Sequence, residues 1–352
     1  MSSWINLSPP RLPRLAIPLE MRWLVDPGLG YMDLSPFSNG EIVVVATDRY
    51  VAGLRFADGK KVWQQQLPQH VIDLTTTRWG PVTIHDQSEQ TFMTAFNWDG
   101  TLRWRIPAGH GMGTHSLRGL EYQLLALGMP LVPGARLCCR LIDADHGTIL
   151  AEYPNEGDVP DVVARGLLTS VRSTDTNLSG LFLYDVAEQQ VIRLLEESNS
   201  VRAVAGSIAV VDTHDIGLLQ SQLIAVDIDS GQRLWVTDGG PNMTLAADGR
   251  QVACVTTLTP THFTATLRDL FTGEPAWQSG KFKGRYANVL LTEEAVLVFI
   301  DGARMQVIDR KTGTAVQDLD EPSTAVYGAC LTSGTLIDVC NYEVRCFGEV
   351  SA

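Results

Sequence analysis

Short apolar runs alternate with polar, glycine-bearing turns along this chain, the pattern of a sheet-rich protein. Residues 201–236 show it most clearly. Val201–Val204 and Ser207–Val211 read as two strands, and a polar loop follows. Gln222–Asp227 and Arg233–Val236 then complete a set of four around the Ser230-Gly231 turn. The set recurs. An apolar run, an aspartate, three residues, a glycine, three residues and a tryptophan run from Asp227 to Trp235 and again from Asp269 to Trp277. Asp58-Gly59 leads to Trp63, and Asp99-Gly100 to Trp104. Asp143 to Gly147 carries Ala151 in the tryptophan slot, and Asp309 to Gly313 carries Gln317. A degenerate copy begins at Asp185, with Gln189 for the glycine and Arg193 for the tryptophan.

The glycine slots at 59, 100, 147, 189, 231, 273 and 313 lie 40 to 47 residues apart, mostly near 42. A period held over so many copies marks a repeat architecture. Glycine suits the turn because it takes positive φ without steric cost. Aspartate can hydrogen-bond the turn backbone, and tryptophan packs between neighbouring sheets. Trp23 stands 40 residues before Trp63 and reads as an eighth anchor with no turn of its own upstream. The last unit therefore starts at the C-terminus and finishes at the N-terminus. These features predict an all-β fold, an eight-bladed β-propeller of four-stranded antiparallel blades. Met21–Val25 closes the last blade, which removes an exposed sheet edge. The expected organisation is a proline-rich arm over residues 1–19 and a single propeller domain over 20–350.

The repeats resemble those of the PQQ-like family, also called quinoprotein alcohol-dehydrogenase-like propellers, whose unit reads A-x-D-x-x-T-G-x-x-x-W. The segments 225–235 (AVDIDSGQRLW) and 268–277 (RDLFTGEPAW) match it well, and the copy at Asp185 departs most. The resemblance spans about residues 20–350. It implies the fold and leaves the task open, because the family includes PQQ dehydrogenases, an outer-membrane assembly lipoprotein and many interaction modules. Its alcohol dehydrogenases hold PQQ and calcium under a disulfide between adjacent cysteines. Here Cys138-Cys139 lies in RLCCRLID, which reads as the third strand of blade 3, where alternating side chains oppose such a bridge.

Charge narrows the partners. Lysine plus arginine is 27 against 40 acids, a net −13 over 352 residues, which argues against nucleic acid because phosphate contacts need a basic face. No apolar run is long enough to cross a membrane as a helix. The N-terminus lacks the basic and apolar regions of a signal peptide, so the six cysteines are expected as reduced thiols in a cytoplasm.

Several residues could carry more than structure. Gly109 to His115 joins blades 2 and 3 and superficially resembles a phosphate loop, but no helix follows to aim amides at phosphate. His110 and His115 remain candidate ligand-contacting residues, with a glycine-relieved loop as the alternative. Asp48, Asp86, Asp175, Asp212, Asp215 and Asp301 fall in segments joining second to third strands. They read as turn residues, or as an acidic ring for a cation or basic segment on the face where the channel opens. Cys330, Cys340 and Cys346 fall on three strands of blade 8, with Cys340 and Cys346 flanking a hairpin as possible cross-strand neighbours. They read as small buried thiols, not as a zinc site. Trp79 and Trp98 lie outside the anchor slots, on adjacent turns of blade 2, and are expected to be exposed as a partner surface, unless the arm from Trp4 to Glu20 covers them.

Together these features favour a non-catalytic scaffold for a protein partner, with no cofactor, no nucleic acid and no membrane insertion. The alternative is a channel-site enzyme or small-molecule binder of quinoprotein type, using PQQ or a metal. With no export signal read, all six thiols should react with a thiol reagent in denaturant without reductant. A Cys138–Cys139 disulfide in freshly prepared protein would instead favour the quinoprotein reading.

Overall fold

Runs rich in valine, isoleucine and threonine between glycine turns leave the backbone little alternative to paired strands. A computed structural model pairs them accordingly. It describes residues 14–349 except 16, 33, 88–89, 111–115, 129–137, 155–159, 172–179, 186, 197–199, 216–219, 240–243, 260, 285–286, 301–303, 321–325, 333 and 341. Among the described residues the strands form eight antiparallel sheets; sequential strands are neighbours along each, except that blade 8 takes its last strand from the start of the chain and blade 6 carries a short fifth strand beside its third. The architecture is the all-β, eight-bladed β-propeller that the repeat predicts. Contacts gather into two compact units. One is Met1–Pro18 with Pro160–Ser323, holding blades 4 to 7; the other is Leu19–Val159 with Thr324–Ala352, holding blade 8 and blades 1 to 3.

Blade 8 is closed by the N-terminal strand. Leu19–Val25 pairs antiparallel with Glu343–Glu349, from Leu19 opposite Glu349 to Val25 opposite Val344, with an irregularity between Met21 and Trp23. Within this sheet Asp338 and Arg345 face each other across the second and third strands. Arg345 Nε and Nη2 donate to the two carboxylate oxygens, each at 2.8 Å, with both side chains buried. Such a pair costs desolvation and is tolerated because both charges are hydrogen-bonded.

The second and third strands carry the core. Val43, Val44, Val45 and Ala46 of blade 1 are all buried, as is every residue of Ala295–Ile300 in blade 7. Fourth strands alternate instead, as in Lys61–Gln66. Apolar clusters sit at the steps between blades. Val82, Ile84 and Met93 of blade 2 meet Leu124 and Ile142 of blade 3, and Phe263 and Leu267 of blade 6 meet Val289 and Val298 of blade 7.

The anchor tryptophans bridge these steps. Trp23 Nε1 donates to the Phe56 carbonyl at 2.9 Å, Trp63 to Trp98 at 2.8 Å and Trp104 to Ala144 at 2.9 Å. Trp235 donates to Leu270 and Trp277 to Arg310, both at 2.8 Å. Each acceptor belongs to the turn between third and fourth strands of the next blade. Each indole also presses on that turn's glycine: a Cβ added at Gly273 would stand 2.7 Å from the Trp235 ring. The turn is braced by its aspartate. Asp269 Oδ1 accepts the main-chain N–H groups of Phe271 at 2.9 Å and Thr272 at 2.8 Å. These bonds, that to Thr272 foremost, hold its carboxyl below the usual range.

Two expectations need correction. In blade 5 the polar residues after Val211 do not form a loop. The strands run Ile208–Asp215 and Gln220–Asp227, so Asp212 and Asp215 are strand residues. Asp86 likewise lies within Gly80–Gln87. The ladder needs only backbone groups, and polarity of side chains does not end it. Second, Cys340 and Cys346 are not cross-strand neighbours: Cys340 faces Glu343, and Cys346 faces Ile337 and Trp23.

Trp235→Ala should cost about 3–5 kcal/mol in denaturant unfolding, as for a large buried aromatic. Gly231 and Gly273 share a positive φ, 71° and 73°, yet a Cβ at Gly231 would meet only Leu194, at 3.7 Å. Gly231→Ala should therefore cost about 1–2 kcal/mol of backbone strain, and Gly273→Ala a further 1–3 kcal/mol or so of overpacking. Equal costs would show that the indole does not confine the turn.

Candidate functional site

Two turns of blade 2 form the most developed surface. Arg78-Trp79 joins its first two strands, and Asn97–Gly100 joins its last two. They are tied together, because Trp98 Nε1 donates to the Arg78 carbonyl at 3.1 Å. Arg103, on the fourth strand, sets its guanidinium over the Trp79 ring at 4.8 Å. It also donates to Asn97 Oδ1 at 2.8 Å and pairs with Asp145 of blade 3. Arg78 lies over the Tyr122 ring at 5.2 Å, donates to its hydroxyl, and stands 3.8 Å from Glu121.

Trp79 and Trp98 are thus half-buried, not exposed. Trp98 has an internal role: its carbonyl is the acceptor for Trp63, and its side chain packs against an apolar cluster that includes Phe96 and Val71. Trp79 is covered on one face by Arg103 through a cation–π contact. The described end of the N-terminal arm lies elsewhere, on blade 7. Leu15 is fully buried with its N–H on Glu294 at 2.9 Å, and Arg14 donates to Glu293 at 2.8 Å.

Arg78, Arg103 and Tyr122 were missed by reading the sequence. One signal was available for Tyr122. It stands in the first turn of blade 3 as Trp79 does in blade 2, 43 residues later. The five side chains Arg78, Trp79, Trp98, Arg103 and Tyr122 are of the types that dominate interface energetics. Their arginines are already oriented by neighbours, so a partner would meet a preformed surface.

The segments expected on the channel face are only partly assembled. Asp48 lines a cleft of about 400 Å³ with Tyr31, Arg49, Tyr50 and His70. Its Oδ1 accepts from His70 Nδ1, and Arg49 Nε stands 3.7 Å from its Oδ2. Tyr31 meets Tyr342 edge-on at 6.1 Å between centroids. His70 also touches the next acid, since its carbonyl accepts the Asp86 N–H at 3.2 Å. The Asp86 carboxylate accepts from Thr91 Oγ1 at 3.1 Å. Asp212 is buried and takes both Arg202 Nε at 3.0 Å and Nη2 at 2.5 Å on Oδ2, and its Oδ1 has no hydrogen-bond partner among the described residues. His110 and Asp215 have backbones in strands, with side chains outside the described residues. His115, Asp175 and Asp301 lie outside them altogether.

Cys138 and Cys139 are adjacent on Cys138–Asp143, opposite Gly128 and Leu127, so they point to opposite faces of the sheet. All six cysteines are free. Burial pushes the Cys139, Cys254 and Cys330 thiols up to about 12, and Cys346 to about 11, which keeps them unreactive at neutral pH. Among the described residues no group of three or more His, Cys, Asp or Glu could hold a metal ion.

Residues 22–279 match the family described as Outer membrane protein assembly factor BamB. No curated protein matches the sequence. Among solved structures, BamB from Moraxella catarrhalis superposes with a TM-score of 0.67 at 14% identity, covering 95% of this chain and 98% of that one. The computationally designed Ika8 protein gives 0.73 at 13% identity, over 94% and 99%. The Neurospora crassa Pan2 WD40 domain gives 0.54 at 11%, over 97% and 98%.

Because Trp63 bonds the main chain of residue 98, Trp98→Ala should keep that bond. We expect it to cost about 1–2 kcal/mol, less than Trp235→Ala. A loss matching Trp235→Ala in the same unfolding measurement would place the Trp98 ring itself in the core.

Proposed function

The chain belongs to the PQQ-type propeller family of the outer membrane protein assembly factor BamB, and from that premise we propose that it is a non-catalytic scaffold that binds protein partners. The observation that carries the reading is the turn face of blade 2, where tryptophan, tyrosine and arginine are gathered and braced. Aromatic and arginine side chains with little rotamer freedom left to lose make strong contact points. The BamB name is that of an assembly factor, and by likeness this chain would hold partners within an assembly. Six free thiols, most of them buried, support a reducing compartment such as the cytoplasm.

The test pairs wild type with a Trp79→Ser/Trp98→Ser double variant, checked for retained fold by circular dichroism. Crosslinking in the native cell followed by purification should yield a protein partner with the wild type that the double variant loses. Retention of every partner by the double variant would remove this face from function. A quinone absorption band or stoichiometric metal in the purified wild type would overturn the scaffold reading.

A further inference from the structure

The sheet of blade 6 ends early. Its fourth strand, Pro275–Gln278, covers only one end of His262–Asp269, and the chain returns to the other end as Phe282–Lys283. The crossing segment is pinned on both sides. Ser279 N–H donates to the Ala265 carbonyl at 2.8 Å, Ala265 N–H donates to Ser279 Oγ at 2.9 Å, and Gly284 N–H donates to Thr261 at 3.0 Å. Between this segment and the third and fourth strands of blade 7 lies a cleft of about 430 Å³. Its volume falls in the range of ligand sites.

The lining has two characters. Phe282 and Ile308 are buried and form an apolar part. Lys281, Lys283 and Arg304 supply positive charge. Arg304 is engaged by Asp318, with Nε donating at 2.8 Å. Lys281 and Lys283 are exposed and have no hydrogen-bond or ion-pair partner among the described residues. Two apart on an extended segment, they share one side, while Phe282 turns to the other. Arginines such as Arg165, Arg202, Arg310 and Arg345 are held by carboxylates, whereas among the described residues these two lysines are not.

We propose that this cleft docks an acidic peptide segment of a partner protein, with its carboxylates on Lys281 and Lys283. Two ammonium groups two residues apart on one side of an extended segment match carboxylates at alternate positions of an extended peptide, a spacing that a bare inorganic anion does not span. Compact ammonium groups on flexible stems suit carboxylates that vary in position. The site rests on the scaffold reading and adds a second place of contact to it.

Fluorescence anisotropy of a labelled peptide alternating glutamate with leucine, titrated with the full chain, tests the site. Saturable binding should weaken about tenfold or more in the Lys281→Glu/Lys283→Glu double variant, and should weaken with added salt. Thermal unfolding should not change, because both side chains are exposed. The Lys281→Gln/Lys283→Gln variant should fall between. Undiminished binding by the glutamate variant overturns the proposal, as does equal binding of a peptide with glutamine for glutamate. Displacement by inorganic phosphate as readily as by unlabelled peptide also overturns it. The Trp79→Ser/Trp98→Ser variant should bind the peptide as wild type does. Intact peptide binding with the turn-face partner lost supports this site separately from the first surface, and lost peptide binding with that partner retained rejects this site alone.

Discussion

One contact sets the terms for the rest of the fold: an indole N–H reaching into the next blade's turn while its ring lies flat on that turn's glycine. The bond itself contributes about 1 kcal/mol net. Its effect on sequence is larger. The glycine must lack a side chain because the ring occupies that space, and the turn must hold its shape because the carbonyl must meet the indole. The aspartate that braces the turn then follows. Asp227, Asp269 and Asp309 each accept main-chain N–H groups from their own turn. The repeat is therefore one mechanical unit spread over two blades. At the step from blade 4 to blade 5, where Arg193 fills the anchor slot, Leu194 approaches Gly231 only loosely, so this step has packing without the indole bond.

This accounts for what could be read in the sequence. The fold was legible because the turn glycine, its aspartate and the tryptophan are fixed in spacing and rare in type. Strand ends in blade 5 were not, because Thr213, His214 and Asp215 continue the ladder through backbone groups that every residue has. Trp98 was legible as an anomaly but not as the acceptor for the Trp63 indole, since that role rests on a carbonyl, which no side chain announces. Arg103 escaped for a related reason. An arginine on a fourth strand reads as solvent-facing until Trp79 is seen beneath it. The Lys281 and Lys283 cleft depends on a strand that stops after four residues, and strand ends are the least predictable feature of a sheet.

The acidic balance of the chain also takes on a different meaning. Much of it is internal to the architecture. Aspartates at the turns bind their own backbone, and Asp185, Asp212, Asp248 and Asp338 each hold an arginine. An acidic composition therefore does not make an acidic binding face. The two proposed contact surfaces are aromatic and cationic: arginines set over rings on blade 2, and lysines beside blade 7 that have no acid partner among the described residues.

The closing strand has a consequence for biosynthesis. Glu343–Glu349 is synthesised roughly 300 residues after its partner Leu19–Val25. At roughly 5–20 residues per second, the wait between them is on the order of 15–65 s. Throughout that interval the nascent chain carries an apolar strand with an open edge and no mate, while blades 1, 2 and 3 can assemble behind it. Neighbouring polysomal chains would present the same unpaired segment at the same time. Closure of blade 8 thus waits for Glu343–Glu349, and chaperones that recognise extended apolar peptides would find a substrate in Leu19–Val25.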